Sequence, residues 1–156
     1  MKVKLSQAVK MFFGNSSLEM VYFEAIANAL DANATEITIK ISADALSQSE
    51  TLSIEITDNG EGFTDERYKQ FSNLFDVNED THKGLGRLVY LCYFESVDIT
   101  SVYNQTKQRT FRFSEEFEEG KCRVMDVAEI PSETRLLMKG YVRQKIGLCQ
   151  PAEHKT

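Results

Sequence analysis

Histidine, cysteine and long apolar runs are all scarce in this chain, and each scarcity excludes something. His82 and His154 are the only histidines, too few to anchor a zinc site built from nitrogen and sulfur ligands. The cysteines are Cys92, Cys122 and Cys149, odd in number and far apart. They make neither a disulfide framework nor a Cys-x-x-Cys metal motif, and they fit reduced thiols in a cytoplasm. No apolar stretch reaches the roughly 20 residues that a membrane-spanning helix needs, so no membrane partner is expected. Two early lysines are followed by neither a long apolar segment nor a small-residue cleavage site, and a secretory leader is not expected. Low-complexity tracts, internal repeats and an interdomain linker are lacking as well.

What is present describes one globular domain. The 156 residues suffice to bury a real core, with 42% hydrophobic and 27% charged residues. The net charge of -6 comes from 24 acidic against 18 basic residues. That balance argues against a surface built mainly for nucleic acid or anionic membrane.

Along the chain the patterning alternates between helical and strand periods. Residues 5–13 read as a short helix, and Asn15-Ser16-Ser17 offers a cap for the longer helix after it. Residues 35–42 alternate Ile37, Ile39 and Ile41 with polar partners, which predicts a half-buried strand. Leu52, Ile54 and Ile56 alternate in a second strand that runs into Asp58-Asn59-Gly60-Glu61-Gly62-Phe63. Residues 65–75 read as a helix, 76–83 as a polar loop, and Gly84-Leu85-Gly86 opens an apolar helix over 87–94. The rest is strand-like: VDITSVY, RTFRFS, CRVMDVAEI and TRLLMKGYV. The domain spans 1–143, and 144–156 is a weakly patterned tail.

The first helix carries an odd feature. In EAIANALDA, the residues Glu24, Asn28 and Asp31 are spaced by four and then three, which aligns them on one face at about 100° of rotation per residue. Apolar residues fill most of the remaining circumference, so a narrow polar stripe is cut into an otherwise buried cylinder. Taken singly, the stripe reads as solvated charge, Asn59-Gly60 as a hairpin turn and Gly84-Leu85-Gly86 as punctuation. Taken in order, their chemistry fits one ligand. A glycine loop at a helix start offers free N–H groups to anionic oxygens, with Lys83 and Arg87 adding charge. Asn28 offers a neutral oxygen to Mg²⁺, which takes waters and phosphate oxygens as its other ligands. Glu24, one turn away, is placed to take a proton from an attacking water. Asp58, ending a buried strand, suits an exocyclic amino group, and Gly60 and Gly62 let a flat ring approach the backbone. The reading is adenine at Asp58 and Mg²⁺-bound phosphates between Asn28 and the glycine loop.

These motifs resemble those of the GHKL-type ATP-binding domains, the superfamily of gyrase, the large heat-shock chaperones, sensor histidine kinases and the mismatch-repair protein MutL. FEAIANALDANATEITIKI is similar to the first motif of that superfamily, DNGEGF to its adenine motif and HKGLGR to its glycine-rich lid. SETRLL, residues 132–137, resembles the late strand whose threonine supports the adenine-binding aspartate. The resemblance covers roughly residues 5–143. It implies an α+β fold, a two-layer sandwich in which helices cover one face of a mixed, mostly antiparallel sheet. It implies Glu24 as general base, Asn28 as the Mg²⁺ ligand, and Asp58 as the adenine anchor with Gly60, Gly62 and Thr134 around it. Asp31 would face the ligand or back the residues that do. Gly84, Leu85 and Gly86 would bring backbone to the phosphates.

Two departures shape the functional expectation. The lid is short, with His82 and Lys83 where many relatives have further glycines. In gyrase-like and MutL-like relatives a following domain sends a lysine to the γ-phosphate, and the sequence stops at Thr156, where such a domain would start. The expectation is a module of a longer protein, or a domain completed by a partner. The implied function is Mg²⁺-dependent binding of ATP and ADP with slow hydrolysis, used as a conformational switch or to drive an ATP-dependent homodimer. The alternative is phosphotransfer, as in single-domain serine kinases of the anti-sigma-factor type or histidine-kinase catalytic domains.

Overall fold

The computed structural model describes residues 17–45, 48–73 and 86–141. Helix α1, Glu19–Asp31, is built on the spacing of Val21, Ala25 and Ala29, four residues apart and buried against the sheet. Its start differs from the expected serine cap. Leu18 holds the cap position with no side-chain bond, and Ser17 contributes its backbone carbonyl to the N–H of Met20 at 3.0 Å. Asn15, Ser16 and the expected helix over 5–13 lie outside the described residues. The helix end is a Schellman turn. Asn33 takes a left-handed φ of 61°, Ala34 N–H returns to Ala29 O at 3.0 Å, and Asn33 N–H to Leu30 O at 2.9 Å.

Six strands form one sheet: β1 Ile37–Ser42, β2 Ser53–Asp58, β3 Phe94–Tyr103, β4 Lys107–Ser114, β5 Arg123–Asp126 and β6 Glu133–Tyr141. Their order is β1-β2-β6-β3-β4-β5, and every pairing among the described strands is antiparallel. The mixed sheet expected from the sequence is, over the described residues, antiparallel throughout. The late β6 enters the middle of the sheet between β2 and β3. That insertion makes positions from distant parts of the chain neighbours.

Helix α2, Asp65–Ser72, starts at Thr64, whose side chain accepts from the N–H of Arg67 at 3.3 Å. It seats Phe71 within an aromatic cluster of Phe63, Phe111, Phe113 and Phe117, all four with centroids 5.1–5.9 Å from Phe71 and edge-on geometry. The glycine-led helix expected over 87–94 is a 3-10 turn, Gly86–Val89, running into a single α-turn, α3, Tyr90–Tyr93. Phe94 is already extended and opens β3. Leu88 to Phe94 are all essentially buried, so this segment is the heart of the core rather than a surface helix.

Two strands depart from their patterns. β1 was expected to be half-buried, yet Ile39 and Ile41 are 38% and 58% exposed, while their register partners Ile56 and Ile54 are closed to solvent. β1 lies at the sheet edge, where no helix among the described residues covers its inner face. The strand expected in CRVMDVAEI shrinks to Arg123–Asp126, an exposed strand at the opposite edge.

Candidate nucleotide site

The polar stripe of α1 is split by the fold. Glu24 and Asn28 turn inward together, the Asn28 amide donating to Glu24 Oε1 at 3.1 Å and to the Tyr90 hydroxyl at 3.3 Å. The amide nitrogen is thereby occupied, and Asn28 Oδ1 has no partner among the described residues. Asp31 is exposed at the helix end. Its backbone carbonyl, not its carboxylate, is engaged, accepting from Arg67 Nη1 at 3.3 Å.

The second group of residues is assembled by strand register. Asp58 ends β2 directly opposite Thr134 of β6, which lies opposite Ser101 of β3. The hydroxyls of Ser101 and Thr134 are 2.8 Å apart, and Ser101 Oγ accepts from the N–H of Phe63 at 2.8 Å. Asp58, Thr134 and Ser101 are all buried, on the same face as the helices. Asp58 Oδ1 accepts from the N–H of Gly60 at 2.8 Å, leaving its other oxygen for a ligand.

The two glycines of this loop have packing reasons to be glycines. A Cβ at Gly60 would stand 2.8 Å from both the Ala32 side chain and its carbonyl, where the N–H of Glu61 also bonds at 2.8 Å. Gly62 has a φ of +82°, and a Cβ there would meet Ser101 Oγ at 2.7 Å. Both pin the loop to α1 and β3. Gly62 lines the cavity between α1 and the sheet, whereas Gly60 is not among its lining residues.

That cavity is lined at its polar points by Asn28, Asp58, Arg67, Tyr90 and Thr134, and otherwise by alanines, Phe63, Phe71, Ile99 and Leu136. Its free volume is ≈ 40 Å³. That is room for a few waters, far below the several hundred Å³, roughly 300–1,000, of a typical ligand cleft.

At the other end of Asn28, the lid motif is represented by Gly86 and Arg87, since Lys83, Gly84 and Leu85 lie outside the described residues. The Glu24 carboxylate rests against Gly86, so closely that a Cβ there would stand 2.1 Å from Oε2. Arg87 is buried rather than presented to solvent. Its guanidinium lies 4.8 Å from the Phe71 ring centroid, Nη2 donates to Gln70 O at 3.5 Å, and Nε has no partner among the described residues.

The sequence matches the family described as histidine kinase-, DNA gyrase B-, and HSP90-like ATPase over residues 14–126. The chain belongs to that family. Among curated proteins, none matches. Solved structures share the fold of this GHKL domain. The N-terminal domain of a DNA repair protein superposes with a TM-score of 0.60 at 20% identity, over 90% of this chain and 40% of that one. The 43K ATPase domain of Thermus thermophilus gyrase B, solved with an aminocoumarin, gives 0.58 at 20% identity, over 97% and 43%. The ATPase region of Saccharomyces cerevisiae topoisomerase II gives 0.52 at 15%, over 79% and 38%. The chain spans about two fifths of the length of each of these structures.

ATP binding is the common property of the GHKL family, and the electrostatics of this member suit it. Burial raises the Glu24 pKa, while the Asn28 hydrogen bond and the Arg87 charge pull it partly back. Burial also raises the pKa of Asp58, opposed by the Gly60 N–H and by Arg67. Arg87 is pushed down to about 10 by burial and held up by Glu24, so it remains a cation at neutral pH. Tyr90, wholly buried, is shifted upward by desolvation and stays a neutral hydroxyl. For the Mg²⁺ that the family implies, the donor set is compatible. One neutral amide oxygen, Asn28 Oδ1, is free beside an acidic residue, which suits an ion that takes its other ligands from water and phosphate.

Three residues of this GHKL site were not singled out from the sequence. Ser101 left a trace, since it occupies a core phase of VDITSVY, where Val97 and Ile99 are buried and a polar residue is out of place. Tyr90 and Arg67 left none. Their roles come from tertiary neighbours 62 and 39 residues away in sequence, respectively.

Proposed function

We propose that this domain binds ATP and ADP with Mg²⁺ and hydrolyses ATP slowly, and that binding acts as a conformational or dimerisation switch. The observation that carries the reading is the pairing across one cavity. Asn28, which is hydrogen-bonded to Glu24, shares the cavity lining with the buried Asp58 and Thr134, and the Ser101 hydroxyl bonds that of Thr134. Asp58, with one oxygen held by Gly60, accepts from the adenine amino group with the other, and Thr134 backs it. Asn28 Oδ1 would hold Mg²⁺, which when bound screens phosphate charge and orients the phosphate chain. Glu24, with its basicity raised by burial, takes the proton of the attacking water. The Asn28 amide fixes the Glu24 carboxylate in that direction. Lys83, Gly84, Leu85 and Gly86 would meet the phosphates, and Arg87 would stabilise charge developing on them.

Hydrolysis is slow in this reading because Arg87, the arginine beside Glu24, is buried against Phe71, and the γ-phosphate would need a further cation from a following domain or partner. A further domain or protein partner, and an ATP-dependent homodimer, would complete the site. A cytoplasmic setting goes with this function. No helix among the described residues is long and apolar enough to cross a membrane.

Calorimetric titration with ADP and ATP, with and without Mg²⁺, tests binding, and phosphate release tests turnover. Expected are Mg²⁺-dependent binding and a slow rate that rises with protein concentration. Rapid, concentration-independent hydrolysis would point to an autonomous enzyme. Label passing from ATP to an added protein would favour the kinase alternative.

A further inference from the structure

The cavity beside Asp58 is narrow, with a free volume of ≈ 40 Å³, so entry of a flat base is governed by the part of its lining that can give way. Most of the lining is not free to move. Ala25, Ala29 and Ala32 belong to α1 and its end, and Tyr90, Ile99 and Leu136 are fixed in the core. Phe63 is locked edge-on against Phe71 and Phe111 at 5.4 and 5.3 Å. Arg67 is different. It lines the cavity from α2 and reaches to the end of α1, with a side chain 26% exposed.

Its anchors are long and few. Nη1 lies 3.3 Å from Asp31 O and 3.4 Å from Glu61 Oε1, and Nη2 lies 3.5 Å from Asn28 O. All three sit at or beyond the far end of normal N–H···O distances. The two carbonyls are at the negative end of α1, which favours a cation there without demanding one geometry. Arg67 is therefore held in place by weak, replaceable contacts, at the only charged lining position among the described residues apart from the buried Asp58.

We propose that Arg67 is the gate of the base pocket: it swings outward to admit adenine and returns across the exposed face of the bound base. This rests on the reading of the cavity as the adenine site. A planar guanidinium is suited to lie over a π-face, and Glu61 and the α1 carbonyls hold it there once the base is in. Selection of the amino group remains with Asp58, and Arg67 sets how fast the base enters and leaves.

The test compares the full chain with Arg67→Ala and Arg67→Lys, using stopped-flow release of a methylanthraniloyl-labelled ADP and calorimetry with ADP and adenosine. Thermal melting checks the fold of each variant. Expected for Arg67→Ala is ADP release about tenfold faster, with the affinities for ADP and for adenosine falling together and by less than that factor, because entry is eased as well. Arg67→Lys keeps the charge but loses the planar fork, and should fall between; it also serves if the alanine variant fails to fold. Release at the parent rate in both variants would overturn the gate. Loss of ADP affinity with adenosine unaffected would overturn it too, since Arg67 would then act as a charge on phosphates. If the parent binds neither ADP nor adenosine, the adenine-site reading falls with it.

Discussion

The carboxylate of Glu24 occupies the space where a side chain at position 86 would begin, 2.1 Å from the place of a Gly86 Cβ. The residue read as general base and the last glycine of the lid motif are thus in direct contact. Glycine at 86 lets the lid backbone reach the carboxylate, and the carboxylate in turn props the start of the segment that becomes the core of the domain.

Gly86→Ala should separate fold from chemistry. The clashing atoms are the flexible end of Glu24, so the cost to stability is small, about 1 kcal/mol. The carboxylate is displaced, however, and hydrolysis should fall by about 10²-fold or more. Melting and phosphate-release measurements on the variant check both halves, and an unchanged rate would remove the contact from the mechanism.

Glu24→Gln should retain nucleotide, lose hydrolysis and stabilise the unliganded domain at neutral pH. Burial raises the Glu24 pKa in the folded state. The stability that this shift contributes is fully present below the unfolded carboxylate pKa and lost as pH rises through the raised folded value. The neutral glutamine avoids that loss. The variant should therefore melt higher than the parent near pH 7 and converge with it in acid. A melting difference that grows on acidification would contradict the assignment.

Asp58→Asn should keep the fold and lose adenine nucleotide affinity, by about 1–3 kcal/mol for one buried polar contact. Asparagine preserves an acceptor for the Gly60 N–H but presents a donor where the amino group of adenine needs an acceptor. Calorimetry with ADP gives the answer, and parent-like affinity would place the base elsewhere.

Asn28→Ala should abolish the difference between titrations run in Mg²⁺ and in EDTA, because the free oxygen of the side chain is removed while Asp58 is untouched. Residual metal-independent binding is expected. A full Mg²⁺ dependence in the variant would assign the ion to other ligands.

The order of elements was legible in the sequence because each local pattern has one physical cause. The four-residue spacing of Val21, Ala25 and Ala29 forces a helix with one buried face, and the alternation of Ile54 and Ile56 forces a strand. Asp58 next to Gly60 and Gly62 reads in the sequence as room for a flat ring at the backbone, whereas in the structure the neighbours that crowd those glycines are Ala32 and Ser101. Spacing also put Glu24, Asn28 and Asp31 on one face, but it could not say which of them turns inward. That depends on Tyr90 and Gly86 packing beside Glu24 and Asn28, while the helix end carrying Asp31 emerges into solvent.

Local pattern likewise says nothing about which strands become neighbours. The sequence by itself determined the helix, the strands and the chemical types available to a site. Only the tertiary structure decided that β6 enters between β2 and β3, which sets Thr134 between Asp58 and Ser101. It alone left Ile39 and Ile41 exposed on an edge strand and buried Arg87 against Phe71. Periodicity records which face of an element is apolar, whereas cover, register and the burial of a charge are settled by what other parts of the chain bring to that face.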